Sequence, residues 1–176
     1  YWKNTYYFWE VVFKNLDESN ILIEGLVNKY KADPDRISLI GHSMGGFTSA
    51  GIFANNPKIK SAVILNGSFT WEKYNEGLVR RLDLEVTDKL HEIGERAKKL
   101  DPFNKLESLK DRPILMLHGK KDSLVPIDNQ SLFYQRIEPL YRDKEKIKLI
   151  EYPNLDHYVT TNMMEESIIW FKKYGI

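Results

Sequence analysis

Four short apolar runs, each separated from the next by a longer segment, leave this chain few architectures. They are Arg36–Gly41 (RISLIG), Ser61–Asn66 (SAVILN), Pro113–His118 (PILMLH) and Lys146–Tyr152 (KIKLIEY). Near-continuous runs of this length are what strands buried on both faces require, whereas a half-buried strand alternates polar and apolar residues. The segments around them have a different period. Phe8, Val11, Val12, Leu16, Ile23, Leu26, Val27 and Tyr30 recur at helical spacing and predict one amphipathic helix over 6–31. Asp33-Pro34-Asp35 should stop it, because proline disfavours helix in the residue before it. Helical spacing returns over 44–54, closed by Asn55-Asn56-Pro57, and again over 128–142 and 160–174. In the last of these, Met164, Ile168, Ile169 and Phe171 are expected to face the sheet. Strands alternating with helices specify an α/β fold with a mainly parallel sheet and right-handed crossovers. The charged interval 68–110, helical around 85–100, is too long for a simple crossover. It is expected to form a lid or cap insertion within a single domain spanning 1–176.

Composition narrows the function classes. A chain of 176 residues with 42% hydrophobic and 29% charged residues can build a core without metal or disulfide support. A formal net charge of +1 calls for neither nucleic acid nor an acidic membrane. Lys144, Lys146 and Lys148 alternate with other residues and read as a solvated face. The absence of cysteine removes disulfides, thiolate metal sites and a cysteine nucleophile, and agrees with a reducing, cytoplasmic location. No apolar run approaches the roughly 20 residues of a membrane span. The start, Tyr1-Trp2-Lys3-Asn4, resembles neither a signal peptide nor a natural first residue, so preceding residues are expected to be missing.

The chemistry centres on Gly41-His42-Ser43-Met44-Gly45-Gly46, which sits between a predicted strand and a predicted helix. A sharp strand-to-helix turn needs small flanking residues, and it lifts a serine hydroxyl above the sheet edge at the positive end of the following helix. The Met44 N–H is then aimed at a developing oxyanion. The plainer reading is a tightly packed or phosphate-binding turn. Neither G-x-G-x-x-G nor the Gly-Lys-Ser/Thr of a P-loop is present, however. A serine hydroxyl needs a histidine to take its proton, and the histidine needs a carboxylate to fix its tautomer. In sites of this kind the chain order is serine, acid, histidine. Asp122 lies just past the third strand, in Gly119-Lys120-Lys121-Asp122-Ser123-Leu124-Val125-Pro126. His157 follows the fourth strand, in Asn154-Leu155-Asp156-His157-Tyr158, and no other histidine lies downstream of Asp122. Asp101, Asp111 and Asp128 are weaker rivals by position. His42 packs near the nucleophile or lines the pocket, His118 satisfies a local hydrogen bond at a strand end, and His91 belongs to the lid. No cluster has the spacing of metal ligands, so no metal is expected. Phe69, Trp71 and Tyr74 follow the second strand, where they either form a substrate pocket or pack the lid.

With these residues placed, the chain resembles the α/β-hydrolase superfamily over nearly its whole length. More narrowly it is similar to the YitV-like bacterial esterases, near the dienelactone hydrolase and prolyl-oligopeptidase-like groups. The likeness rests on Tyr7-Phe8-Trp9, on Asp35 through Gly46, on Leu117 through Pro126, and on Asp156-His157. It implies Ser43 as nucleophile, His157 as general base and then acid, Asp122 as orienting acid and the Met44 N–H as one oxyanion donor. The implied reaction is cofactor-free hydrolysis of a small-molecule carboxylic ester through an acyl-serine. Dienelactone hydrolases carry cysteine where this chain has Ser43, so their substrate does not transfer. Prolyl-oligopeptidase-like peptidases usually carry an aromatic residue at Met44, which leans the reading towards esterase. Complete members also have strands before the aromatic helix, one of them followed by a loop that supplies a second oxyanion donor. Their absence predicts a truncated, weakly active product with an uncovered sheet edge through which it dimerises. Two other readings stay open: an acyl- or aminopeptidase, and an inactive remnant acting as an interaction module.

Overall fold

The computed structural model describes residues 2–175, with side chains from Thr5 onward; Tyr1, at the start expected to lack preceding residues, lies outside the described residues. Helix α1 (Trp2–Tyr30) is the predicted aromatic helix. It stops before the proline. Lys31 takes a left-handed conformation (φ 60°), and the Ala32 N–H reaches back to the Leu26 carbonyl at 3.1 Å. That bond satisfies one of the carbonyls left open in the last turn of the helix. Pro34 instead opens a short 3₁₀ turn capped by the Asp33 carboxylate, so what was expected to be the first part of a strand is not strand.

Strand β1 (Leu39–His42) leads into α2 (Met44–Asn55), and β2 (Ala62–Leu65) follows. Helices α3 (Trp71–Arg81), α4 (Asp88–Leu100) and the short α5 (Leu106–Leu109) fill the interval expected to form a lid. Strand β3 (Ile114–Gly119), α6 (Asp128–Ile137), β4 (Ile147–Tyr152) and α7 (Thr161–Tyr174) complete the chain. The four strands form one parallel sheet in the order β1-β2-β3-β4. Each strand pairs with its successor in the chain, so every connection is a crossover, and the four C-terminal ends share one edge. In register, His42 lies beside Leu65, Leu65 beside Leu117 and Leu117 beside Ile150.

Alternate residues of the central strands face opposite layers, as the two-residue period demands. Ala62, Ile64, Ile114 and Met116 pack under Phe53 of α2 and Phe133 of α6. Val63, Leu65, Leu115 and Leu117 pack under Met163 and Trp170 of α7. Every position of β2 and β3 is buried, whereas Ile40 on the outer strand β1 is half exposed. A third, aromatic cluster joins Trp9 and Phe13 of α1, Phe47 of α2, Trp71 and Tyr74 of α3, and Ile93 of α4. It fastens the α3–α4 pair to the body of the sheet.

Helix α7 corrects one expectation. Met163, Ser167 and Trp170 face the sheet, with Phe171 and Tyr174 packed at the margin. Met164, Ile168 and Ile169 point outward and are exposed. Both phases of this helix carry large apolar residues, so periodicity favoured the wrong stripe, and Trp170 has more area to bury than Ile169.

Candidate active site

The turn after β1 is built around Ser43, whose backbone takes φ 55° and ψ −122°, a region that a residue with a Cβ rarely enters. Its N–H is held by the Leu65 carbonyl at 2.9 Å, and its own carbonyl accepts from Gly46 and Phe47 at the start of α2. The Ser43 hydroxyl does not cap α2, which leaves it available for chemistry. Two glycines make the turn possible by close approach. A Cβ on Gly41 would overlap the Gly45 carbonyl, and one on Gly46 would lie 2.9 Å from the Gly67 Cα. Gly45 itself has open space around it, so the third glycine of the motif is not needed for packing. The Met44 N–H is the first amide of α2 and has no acceptor within the helix.

Asp122 lies in the loop after β3 and is buried. Its Oδ1 accepts from the amides of Leu124 (3.0 Å) and Val125 (2.7 Å), which folds the loop round the carboxylate. Its Oδ2 accepts from Nδ1 of His157 at 2.8 Å and lies 3.3 Å from Nε2 of His118. Burial alone would push this carboxyl up. The hydrogen bonds from His118, His157 and the Val125 amide outweigh it and hold Asp122 well below the usual carboxylate range. Nε2 of the fully buried His118 also lies 2.8 Å from the Val125 carbonyl, while its Nδ1 has no partner. A carbonyl can only accept, so Nε2 carries a proton, shared between the Val125 carbonyl and the Asp122 carboxylate.

His157 comes from the loop after β4. Its imidazole meets Asp122 on one side and the ring of His42 on another, at 4.9 Å between centroids. Desolvation, and then the adjoining His157, lower the pKa of His42 below the ordinary imidazole value. Ser43 and His157 therefore occupy the same sheet edge, joined through the His42 contact, although no hydrogen bond links the Ser43 hydroxyl to His157.

The four aromatic and imidazole residues considered for a pocket divide. Phe69 is fully buried and stacks on Phe133 at 4.1 Å, and Trp71 is fully buried among Trp9 and Phe13 with its Nε1 on the Ser68 carbonyl. Both are packed in the interior, as in the lid-packing alternative for them. Tyr74 packs on Phe47 at 4.6 Å and lines a cavity of about 190 Å³ between α3 and the acid loop, with Leu78, Arg81, Pro126 and Asn129. His42 is exposed beside Ser43. Among the described residues no group of His, Asp or Glu is arranged to hold a metal ion, and no helix is long and apolar enough to cross a membrane.

Sequence reasoning missed two residues. Asp156 accepts the His157 N–H (2.8 Å), the Ser123 N–H (2.8 Å) and the Ser123 hydroxyl (3.0 Å), tying the histidine loop to the acid loop. Asn66 reaches the same loop from the end of β2. Each stands next to a recognised motif, but neither lies in a local pattern that reveals its distant partner.

The model of the prolyl oligopeptidase family matches residues 18–174. The chain belongs to the prolyl oligopeptidase family. Similar proteins include the putative esterase YitV of Bacillus subtilis, 29% identical over 96% of this chain and 69% of its own length. Another is the esterase YjfP of Escherichia coli, 26% identical over 95% of this chain and 68% of its own. The fold is the α/β-hydrolase fold. Acylaminoacyl peptidase from Pyrococcus horikoshii superimposes with a TM-score of 0.71 at 22% identity, over 90% of this chain and 27% of that one. Acetyl xylan esterase 1 from Thermoanaerobacterium does so at 0.65 and 19% identity, over 86% and 50%. At those identities the superpositions speak for fold alone. The chain thus spans about two thirds of the two esterases and about a quarter of the peptidase.

Proposed function

We propose that this chain is a serine hydrolase cleaving carboxylic esters, with Ser43 as nucleophile, His157 as general base and acid, and Asp122 as the group that orients His157. The observation that carries this reading is the 2.8 Å bond between His157 Nδ1 and a buried Asp122, on the sheet edge where Ser43 sits in a strained turn. With Nδ1 donating to the carboxylate, Nε2 is left with its lone pair and can take a proton.

In the first half-reaction the Ser43 hydroxyl passes its proton to His157 Nε2 as Oγ bonds the carbonyl carbon. The oxyanion that forms is stabilised by the Met44 N–H and the positive end of α2. Collapse breaks the bond to the alkoxy oxygen, which leaves with the proton from His157. Water then attacks the acyl-serine, giving its proton to the same nitrogen, and the carboxylic acid departs as Ser43 regains a proton. Every group needed for proton movement is a side chain of this chain, so no cofactor enters. His42, exposed beside Ser43, and Tyr74, buried but lining the cavity beside the acid loop, are the residues proposed to meet the substrate.

A second reading, peptide-bond cleavage, is favoured by the family description and by similarity to the uncharacterized peptidase YuxL of Bacillus subtilis, 26% identical over 71% of this chain. The two relatives that align along nearly the whole chain carry esterase names, which supports the ester reading. Fluorophosphonate labelling of the protein, absent in Ser43→Ala, is the expected result. Comparing turnover of p-nitrophenyl acyl esters with that of aminoacyl anilides separates the two substrates. Undiminished labelling of Ser43→Ala overturns the assignment of the nucleophile.

A further inference from the structure

The geometry points to Asn66 as a positioning residue that holds the histidine loop across the sheet edge so that His157 can serve Ser43. The inference rests on the roles proposed above for these two residues. The problem Asn66 solves is one of distance. Ser43 follows β1 and His157 follows β4, the two outer strands of a four-stranded sheet. Three inter-strand steps separate them, roughly 14 Å at the usual spacing of parallel strands. The loop after β4 must therefore travel over β3 and β2 before its imidazole can approach Ser43.

Its course is pinned at successive points. Over β3, the Lys120 N–H donates to Tyr152 and the Lys121 N–H to Leu155, both at 2.9 Å. Next, the Asp156 carboxylate takes the Ser123 and His157 amides. The last tie is at β2, where Asn66 Nδ2 donates to the Tyr158 carbonyl at 2.9 Å, one residue beyond His157. The other end of the same side chain is also engaged: Asn66 Oδ1 accepts the Gly119 N–H at 3.0 Å, at the end of β3. Its backbone N–H donates to the Leu117 carbonyl at 2.9 Å.

Asn66 is fully buried and holds a left-handed backbone, φ 46°. Asparagine tolerates that conformation better than most residues. The orientation of its amide is dictated by its partners, because the Gly119 N–H can only donate and the Tyr158 carbonyl can only accept. A neutral group with a donor at one end and an acceptor at the other is what this gap requires. Aspartate would set a carboxylate oxygen against the Tyr158 carbonyl, and an aliphatic residue would leave two backbone groups unpaired in the interior. The Asn66 side chain bonds the Tyr158 carbonyl and the Gly119 amide, not the Ser43 hydroxyl or the imidazole of His157. It acts through the path of the loop.

Two variants test the assignment. Asn66→Gly keeps the left-handed backbone and removes both side-chain bonds. Asn66→Asp keeps the shape and the Gly119 bond and replaces the donor facing Tyr158 with an acceptor. Each is checked for folding by circular dichroism and assayed on p-nitrophenyl acetate, with active sites counted by exhaustive fluorophosphonate labelling. For a folded variant, kcat per labelled site should fall on the order of 10- to 100-fold, the scale on which a small misplacement of a catalytic group acts. KM should stay within about two-fold, since uniform binding is untouched. A folded variant with wild-type kcat overturns the inference, as does a change in KM alone. Loss of fold in both variants also overturns it, by making Asn66 a purely structural residue. If the unmodified protein takes no label, the hydrolase reading fails as well; if it labels and turns over ester, only the role of Asn66 is at stake.

Discussion

At the residue scale, the Ser43 turn divides its three glycines by what surrounds them. Gly46 and Gly67 approach so closely that a methyl group on Gly46 would press on the Gly67 backbone, with Ile64 3.3 Å away on another side. Gly46→Ala should destabilise by about 1–3 kcal/mol, the usual cost of overpacking a tight contact. In a chain of this length each kcal/mol lowers the unfolding midpoint by about 2–4 °C. Gly45 faces open space inside the first turn of α2, so Gly45→Ala should leave the midpoint unchanged or raise it slightly through helix propensity. Differential scanning calorimetry of both variants checks the contrast, and equal effects would refute it. The motif as written in the sequence treats its glycines alike; packing does not.

At the scale of elements, α7 shows how two candidate stripes are resolved. Its sheet-facing side is set by Met163 and Trp170 packing on Val63, Leu65, Leu115 and Leu117. Removing the indole in Trp170→Ala should cost roughly 3–5 kcal/mol, as large-to-small core substitutions do. Ile169→Ala, on the exposed side, should stay within about 0.5 kcal/mol. Urea unfolding of the two variants distinguishes them, and a large loss for Ile169→Ala would restore the phase first expected from periodicity. The same kind of choice arises in α3. Trp71 and Tyr74 both follow β2 within one helical turn, but Trp71 is enclosed by α1 whereas Tyr74 lines the cavity beside the acid loop.

At the scale of the whole molecule, the buried acid couples the site to global stability. Asp122 is depressed in the folded protein below its ordinary value of 3.8 because its hydrogen bonds outweigh its burial. The sign follows from linkage: the folded state holds the unprotonated form more tightly than the unfolded state does. The resulting stabilisation is complete well above pH 3.8 and is lost as pH falls below that value towards the depressed one. Wild type should therefore exceed Asp122→Asn in unfolding midpoint near pH 7, and the gap should narrow as the pH is taken down to 3. A gap that stays constant over that range would mean that the carboxylate charge is not what stabilises the fold. Asp156, also depressed, by the Ser123 and His157 amides, adds to the same trend.

What the sequence by itself determined was whatever depends on near neighbours. The four strands, the long helices, the strand–serine–helix turn and the positions of Asp122 and His157 after their strands all follow from periodicity, glycine placement and chain order, which act over a few residues. The strands were legible to within three residues at their ends. Tertiary structure decided the rest, because the deciding contacts join residues far apart in the chain. Ser123 meets Asp156 across 33 positions, Asn66 meets Gly119 across 53 and Tyr158 across 92, and no local pattern encodes such a pairing. The phase of α7 and the burial of Phe69 and Trp71 were settled in the same way, by competition for a core of finite volume in which the largest apolar surface goes inside.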